Sequence, residues 1–254
     1  MTKRLDGTVA LVTGASSGIG EATARALAEH GAAVAIAARR EDRLVTLAAE
    51  IAQEGGRALV IPCDITDQRQ AERLVTRTVR ELGRLDTVVN NAGVMLLGPI
   101  AGGSLDDWNL MLDVNVRGAL YVSHAALPHL LTAAESAPRH VADLVNVSSM
   151  SGRQAHAGSA LYNLTKFGIG AFSESLRQEV TQRHVRISLI EPGDVATELF
   201  SHNTPEIQQA VREVVGNVES LQADDVADAI VYIVTRHRRV AINEILVRPT
   251  EQVV

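Results

Sequence analysis

A tyrosine and a lysine stand four residues apart in "SALYNLTKFGIG", at 159–170. The segment is typical of the first turns of a helix, where this spacing places the Tyr162 phenol and the Lys166 ammonium on one face. Many solvated helices carry such a pair without any chemical role. The pair is therefore a hypothesis about chemistry that depends on what the rest of the chain places beside it.

A glycine-rich segment, "TGASSGIG" at 13–20, has the features of a phosphate-binding turn. It follows an apolar run that predicts a buried strand and precedes a helical pattern. Gly14, Gly18 and Gly20 would allow a tight turn and a close backbone approach to a pyrophosphate at the helix N-terminus. The alternative is a plain turn of small residues, but the position in the first strand–helix unit favours a dinucleotide site.

The end of the second predicted strand, "AIAARR", indicates which dinucleotide would bind. NAD sites usually place an acidic side chain here to hold the ribose hydroxyls, whereas this chain has Ala38. Arg39 and Arg40 follow, and a guanidinium suits a 2′-phosphate. The sequence therefore favours NADP(H), with a solvated strand end as the alternative explanation of the two arginines.

Apolar runs alternate with helical patterns along the chain. Strands are predicted at 8–14, 33–39, 58–64, 85–93, 142–149, 185–193 and 244–249, and helices at 20–31, 42–53, 68–82, 104–131, 159–183 and 223–236. This alternation predicts an α/β Rossmann fold, a doubly wound parallel sheet of about seven strands with helices on both faces. Residues 1–254 are expected to form a single domain, and the polar, irregular segment near 195–220 is expected to be a substrate lid.

Composition argues against several other classes of function. The 254 residues carry a net charge of −6 without a basic block, so nucleic-acid binding is not indicated. No stretch of about 18 apolar residues exists, so no membrane span is expected. A single cysteine, Cys63, fits a reducing cytoplasm and excludes a cysteine zinc site. The histidines lack metal-ligand spacing, so no metal is expected.

Two further polar residues and a set of motifs support a chemical role for the tyrosine and lysine. Ser149 ends the fifth predicted strand, and Asn115 lies inside a predicted helix, where asparagine is unfavourable. In order, over about residues 5–235, the chain carries "TGASSGIG", "CDIT", "NNAG", "LDVNVRG", "NVSSMSG", "YNLTK" and "EPGDVATEL". With this set it resembles the compact, single-domain short-chain dehydrogenases/reductases. The whole chain is similar to their clavulanate-semialdehyde (clavaldehyde) reductases and NADP-dependent 3-hydroxy acid dehydrogenases.

The resemblance implies a catalytic role for four residues. Tyr162 would be the acid/base that gives a proton to the substrate oxygen as hydride arrives from the nicotinamide. Lys166 would lower the pKa of the phenol, which is about 10 in free tyrosine, and would donate to the nicotinamide ribose. Ser149 would polarise the substrate carbonyl. Asn115 would hold a water that links Lys166 to solvent.

The same resemblance implies a cofactor contact for several loops. The adenine end would meet Asp64 and Ile65, and the nicotinamide would lie beside 192–197. The implied set is Gly14, Ser16, Ser17, Gly18, Ile19, Gly20, Arg39, Arg40, Asp64, Ile65, Asn91, Ala92, Gly93, Tyr162, Lys166, Pro192, Gly193, Val195 and Thr197. Ser17 stands where NADP-using relatives often carry a basic residue, which leaves the 2′-phosphate to Arg39, helped by Arg40.

The expected protein is an NADP(H)-dependent oxidoreductase of a small-molecule carbonyl or alcohol. The resemblance implies a homotetramer or homodimer built on the helices near 105–131 and 160–183, with the tail near 244–254 in a second interface. An NAD(H)-dependent enzyme and a non-catalytic dinucleotide sensor stay open as alternatives, although the intact catalytic set argues against the sensor. His156 either lines the substrate pocket or is an exposed loop residue. The apolar segment "VMLLGPI" favours a hydrophobic or mixed substrate.

Overall fold

Seven strands form one parallel sheet in the computed structural model, which describes residues 4–215 and 218–253. They are β1 (Val9–Thr13), β2 (Ala33–Ala38), β3 (Arg57–Pro62), β4 (Thr87–Asn90), β5 (Ala142–Val147), β6 (Val185–Pro192) and β7 (Glu244–Val247). Their order across the sheet is β3-β2-β1-β4-β5-β6-β7. The direction of winding reverses between β1 and β4, and ligands of open α/β sheets bind at such a reversal, beyond the carboxyl ends of the strands.

Helices cover both faces of this sheet, which confirms the predicted fold class. They are α1 (Gly18–Glu29), α2 (Glu41–Gln53), α3 (Gln68–Leu82), α4 (Leu105–Leu112), α5 (Ala119–Ala134), α6 (Ala160–Val180), α7 (Pro205–Val215) and α8 (Ala223–Val234). Within the described ranges, none of them is both long and apolar enough to cross a membrane.

Strand β1 shows how the sheet is buried on both faces. Val9 and Leu11 pack into a core with residues of α3, α5 and α6. Ala10 and Val12 point the opposite way, into a second core with residues of α1, α2 and α8. Successive side chains of a strand face opposite sides, so a continuous apolar run is what a two-sided sheet requires.

A buried polar chain fixes α6, the helix that carries Tyr162 and Lys166, against the sheet. The Asn90 amide on β4 donates to the Asn146 amide oxygen on β5 at 2.9 Å. The Asn146 amide donates in turn to the Ser173 hydroxyl on α6 at 2.8 Å. Each bond of this kind contributes about 0.5–1.5 kcal/mol and is directional, so it sets the position of α6 more tightly than apolar packing does.

Two of the predicted segments differ in the structure. The predicted helix at 104–131 consists of α4, a π-helical segment at Asp113–Gly118, and α5. The stretch near 195–220, predicted to be irregular, contains a short 3₁₀ turn (Glu198–His202) and α7, while 216–217 of that stretch lie outside the described residues. Helix α7 was missed because its composition is polar. Its start carries a usable signal, since Thr204 accepts from the Ile207 amide and proline occupies the first helical position.

Candidate active site

The reversal point of the sheet opens into one large cavity of about 1010 Å³. The loops that follow β1, β2, β3, β4, β5 and β6 all contribute to its walls. Of the predicted cofactor residues, Gly20 alone is not part of the lining, and Asn115 is the one predicted catalytic residue outside it. The fold therefore brings together residues as far apart in the chain as Gly14 and Gln252, as expected for the carboxyl edge of a parallel sheet.

Tyr162 and Lys166 lie in the first turns of α6 and are both buried, at 5% and 7% exposure. The Lys166 Nζ atom is 5.6 Å from the centre of the Tyr162 ring. It also donates to the Val147 carbonyl at the end of β5, at 2.9 Å. An ordinary surface pair would be exposed and free of such anchoring, so the structure favours a chemical role over the surface alternative.

Burial changes the acidity of both groups. It raises the pKa of the Tyr162 phenol to about 12, while a hydrogen bond with Ser149 acts in the opposite direction. It lowers the pKa of the Lys166 ammonium to about 8. The predicted lowering of the phenol's pKa is thus wrong for this structure, because the loss of hydration outweighs the hydrogen bond with Ser149. Near neutral pH the pair is a neutral phenol beside an ammonium.

Ser149, shortly after the end of β5, lines the cavity next to Tyr162. It is 9% exposed and precedes a single 3₁₀ turn, Met150–Gly152, whose start it caps by accepting from the Ser151 amide at 3.1 Å. This cap fixes the rotation of the serine side chain. The Ser149 and Tyr162 hydroxyls are hydrogen-bonded to each other, and both residues line the cavity, so a ligand there would meet two adjacent hydroxyls.

Asn115 lies in the π-helical segment, which explains an asparagine in the middle of a helix. Its amide oxygen accepts from the Val94 amide and its amide nitrogen donates to the Val94 carbonyl, both at 2.8 Å. A further bond runs to the Thr165 hydroxyl at 3.3 Å. Asn115 therefore ties the segment after β4 to the helix that carries Lys166. The water that it was predicted to hold stays a prediction.

The glycine loop has the geometry that a dinucleotide pyrophosphate requires. Gly14 has a φ of +67°, and a Cβ there would lie 2.8 Å from the Asn91 side chain. At Gly20 a Cβ would lie 2.3 Å from the Gly14 carbonyl oxygen. Ser17 at the N-cap of α1 makes no side-chain capping bond, so the first amides of α1 face the cavity without a side-chain acceptor. These residues fit the expected cofactor.

The polar residues around this loop are largely engaged within the protein. The Asn91 amide donates to the carbonyls of Thr13 and Gly14, at 3.0 and 3.3 Å, so it braces the glycine loop. The Asp64 carboxylate accepts from the amide and hydroxyl of Thr66. Arg39 is exposed at the end of β2 and forms no hydrogen bond or ion pair with the described residues.

Arg40 forms hydrogen bonds and an ion pair that the sequence did not indicate. Its guanidinium donates to the Ser16 and Ser17 hydroxyls of the glycine loop, at 3.0 and 2.7 Å. It also forms an ion pair with Glu198 at 2.8 Å. Glu198 was not predicted to be a site residue, and a lone glutamate in a polar segment offers no signal that would have identified it.

The sequence did not indicate two other residues, Gln252 in the cavity wall and Arg153 outside it. Gln252, in the C-terminal tail, accepts from the Asp194 amide at 3.0 Å and lines the cavity where the nicotinamide is expected. A Cβ at Gly193 would lie 2.1 Å from the Gln252 side-chain oxygen, which explains that glycine. Arg153 pairs with buried Glu191 at 2.7 Å and ties the loop after Ser149 to β6.

The remaining part of the cavity is largely apolar. Its walls include Val94, Met95, Leu97, Pro99, Leu110, Val114, Met150, Phe200, Ile207, Ala210 and Val211. Helix α7 contributes three of these at helical spacing, so its apolar face covers the cavity. His156 is both exposed and part of the lining, and His202 joins it. In the part of the chain that the structure describes, no three His, Cys, Asp or Glu residues are grouped to hold a metal ion.

A family model described as short chain dehydrogenase matches residues 8–208. The chain belongs to this family. It is 36% identical over 241 residues to an uncharacterised oxidoreductase of Staphylococcus aureus strain MRSA252, a match that covers 95% of this chain and 96% of that protein. The protein is accordingly an oxidoreductase that binds a nicotinamide dinucleotide.

Solved structures agree over nearly the whole chain. A metagenomic short-chain oxidoreductase in complex with NADP superposes with a TM-score of 0.81 and 31% identity, over 97% of this chain and 99% of that one. A short-chain dehydrogenase from Burkholderia cenocepacia J2315, also in complex with NADP, gives a TM-score of 0.84 and 30% identity, over 96% and 98%.

The burial of Lys166 should cost stability, and its replacement by methionine should recover it. At pH 7 we expect Lys166→Met to raise the free energy of unfolding by about 1–3 kcal/mol, because an apolar side chain of similar length carries no desolvation penalty. The ammonium has a folded pKa of about 8 against an ordinary 10.5. Its penalty is therefore complete below pH 8 and gone above 10.5.

Urea denaturation at pH 7.0 and pH 9.5 measures this effect. The advantage of the methionine variant should shrink at the higher pH, since wild-type stability rises between the two pKa values. A variant that is less stable than wild type at pH 7.0 would show that the contact with Val147 outweighs the cost of burial.

Proposed function

We propose that the protein is an NADP(H)-dependent oxidoreductase that interconverts a carbonyl and an alcohol of a small molecule. The observation that carries the proposal is the buried set of Ser149, Tyr162 and Lys166 at one point of the cavity wall. The substrate would bind in the apolar chamber beside that point. The dinucleotide would bind at the glycine loop on the other side.

In this mechanism two hydroxyls hold the substrate oxygen. When the nicotinamide is bound, it supplies the hydride that forms the new C–H bond. Ser149 donates to the carbonyl oxygen and polarises it, and Tyr162 transfers its proton to that oxygen as negative charge develops. The Lys166 ammonium stabilises the phenolate that remains, in an environment where a nearby charge acts strongly. In the oxidation direction Tyr162 takes the proton back from the alcohol.

The preference for NADP(H) over NAD(H) rests on the end of β2. Ala38 leaves no carboxylate there that would repel a 2′-phosphate, and Arg39 is exposed and unpaired among the described residues. The NADP complexes of the two solved relatives support the same choice. The lid, the segment 195–220 in the sequence analysis, is proposed to close over the substrate through α7.

The apolar chamber favours a substrate with a hydrophobic body, with His156 and His202 as polar groups at its wall. The resemblance to clavulanate-semialdehyde reductases and NADP-dependent 3-hydroxy acid dehydrogenases suggests small aldehydes and 3-hydroxy acids as a first panel of substrates. We also propose a homodimer or homotetramer, since Leu105, Leu164 and Phe167 of the expected interface helices are exposed at 66%, 57% and 45%.

Replacing Tyr162 by phenylalanine removes only the hydroxyl. We expect Tyr162→Phe to reduce carbonyl turnover by at least about 100-fold, since the hydroxyl that donates the proton is lost. The Kd for NADPH should stay within about twofold of wild type. Tyr232→Phe, at a tyrosine that is 49% exposed on α8, is the matched control and should leave both quantities unchanged. Substantial remaining turnover in Tyr162→Phe would contradict the acid/base role.

Arg39→Asp tests the assignment of the 2′-phosphate. The new carboxylate should weaken NADPH binding about tenfold or more, because it replaces a charge-assisted hydrogen bond by repulsion. NADH binding should be unchanged or improved. The same reversal at Arg69 on α3, an exposed arginine outside the cavity, controls for net charge. If the KM for NADPH does not change in Arg39→Asp, the phosphate assignment is wrong.

A further inference from the structure

One carboxylate joins the two walls of the cofactor cleft. Glu198 follows Thr197 directly and opens the 3₁₀ turn that leads to α7. Its two oxygens accept from the guanidinium groups of Arg40 and Arg43, both at 2.8 Å. These arginines lie on the β2 side of the cleft, whereas Glu198 belongs to the segment that follows β6. The bridge therefore closes over the part of the cleft where the adenosine half of a dinucleotide is expected.

Arg40 is held on three sides by this arrangement. Besides Glu198, it donates to the Ser16 and Ser17 hydroxyls of the glycine loop. The glycine loop also packs against Thr197, the residue before Glu198, since a Cβ at Gly18 would lie 3.1 Å from the Thr197 methyl group. Arg40 thus links the glycine loop to residues 198–215, the part of the proposed lid from Glu198 to the end of α7, which is called the lid segment below. A ligand that takes Arg40 must compete with Glu198.

The bridge is of the kind that a stronger anion can displace. The side chains of Arg40, Arg43 and Glu198 are 41–46% exposed, and exposed ion pairs contribute little to stability. Arg40 and Arg43 lower the pKa of the Glu198 carboxyl to about 2, so it is ionised throughout the usual pH range. A phosphate monoester carries more negative charge than a carboxylate and has three acceptor oxygens.

We propose that Glu198 competes with the 2′-phosphate of NADP(H) for Arg40, and that binding of this phosphate releases the start of the lid segment. The inference rests on the proposed NADP(H) function and adds a specificity-determining residue to it. Glu198 lowers the affinity for NADP(H) and leaves that for NAD(H) nearly unchanged. Only a ligand with a 2′-phosphate would release the lid segment through Glu198. A ligand shifts the equilibrium between two conformations only if it binds them with different affinity, and a dinucleotide without that phosphate does not compete for Arg40.

Calorimetric titrations of wild type and Glu198→Gln measure the competition. The probes are NADPH, NADH, adenosine 2′,5′-bisphosphate and ADP, of which the last two separate the phosphate from the nicotinamide chemistry. In Glu198→Gln we expect NADPH and the bisphosphate to bind about three- to tenfold more tightly, since one opposing charge is removed. NADH and ADP should change less than about twofold. Glu213→Gln, at an exposed carboxylate on α7 that accepts a hydrogen bond from Gln209, should match wild type.

Hydrogen exchange of the lid segment gives a readout independent of affinity and activity. In wild type, the bisphosphate should increase exchange at 198–202, and ADP should not. In Glu198→Gln, exchange there should be high without any ligand. The inference is overturned if Glu198→Gln binds NADPH more weakly, if it changes NADPH and NADH alike, or if neither affinity nor exchange changes.

These titrations test the cofactor preference and the role of Glu198 separately. The wild-type ratio of NADH to NADPH dissociation constants tests the proposed cofactor. The ratio between Glu198→Gln and wild type tests the role of Glu198. A wild type that prefers NADH overturns the cofactor proposal, and even then tighter NADPH binding in Glu198→Gln would support the competition.

Discussion

The structure depends on holding an ammonium and a phenol out of water at one point. Lys166 and Tyr162 are both buried, and burial moves their pKa values apart, from ordinary values of 10.5 and 10.0 to about 8 for the ammonium and about 12 for the phenol. Such a pair survives only where its surroundings are fixed, because a mobile site would let water in. The Val147 carbonyl at the end of β5 and the polar chain from Asn146 to Ser173 provide that rigidity.

The same constraint explains the backbone around the cleft. A parallel sheet brings its carboxyl ends to one edge, and the reversal between β1 and β4 leaves a crevice there. Side chains are absent where other parts of the protein approach the backbone closely, as at Gly14 and Gly193. Polar groups that would otherwise be unsatisfied are used as braces, with Asn115 on Val94 and Asn91 on the glycine loop. The preformed cleft is therefore a consequence of local packing.

The fold and the centre of the site could be predicted from the sequence because both depend on local patterns. Continuous apolar runs mark the strands, and the spacing of Tyr162 and Lys166 places both on one face of α6. Helix α7 was missed because its polar composition hides an apolar face of Ile207, Ala210 and Val211. The direction of the Tyr162 pKa shift was wrong because hydration loss depends on three-dimensional burial. Glu198 and Gln252 could not be found at all, since their partners are distant in sequence.

A titration of the purified protein with NADPH and NADH, followed by a panel of small aldehydes and ketones with the tighter cofactor, tests the central claim most directly. The account predicts tighter binding of NADPH and reduction of at least one carbonyl compound on the panel. Tighter binding of NADH would contradict the role given to the end of β2. Binding of either dinucleotide without turnover of any carbonyl would contradict the catalytic role of the buried pair and would favour a dinucleotide-sensing protein.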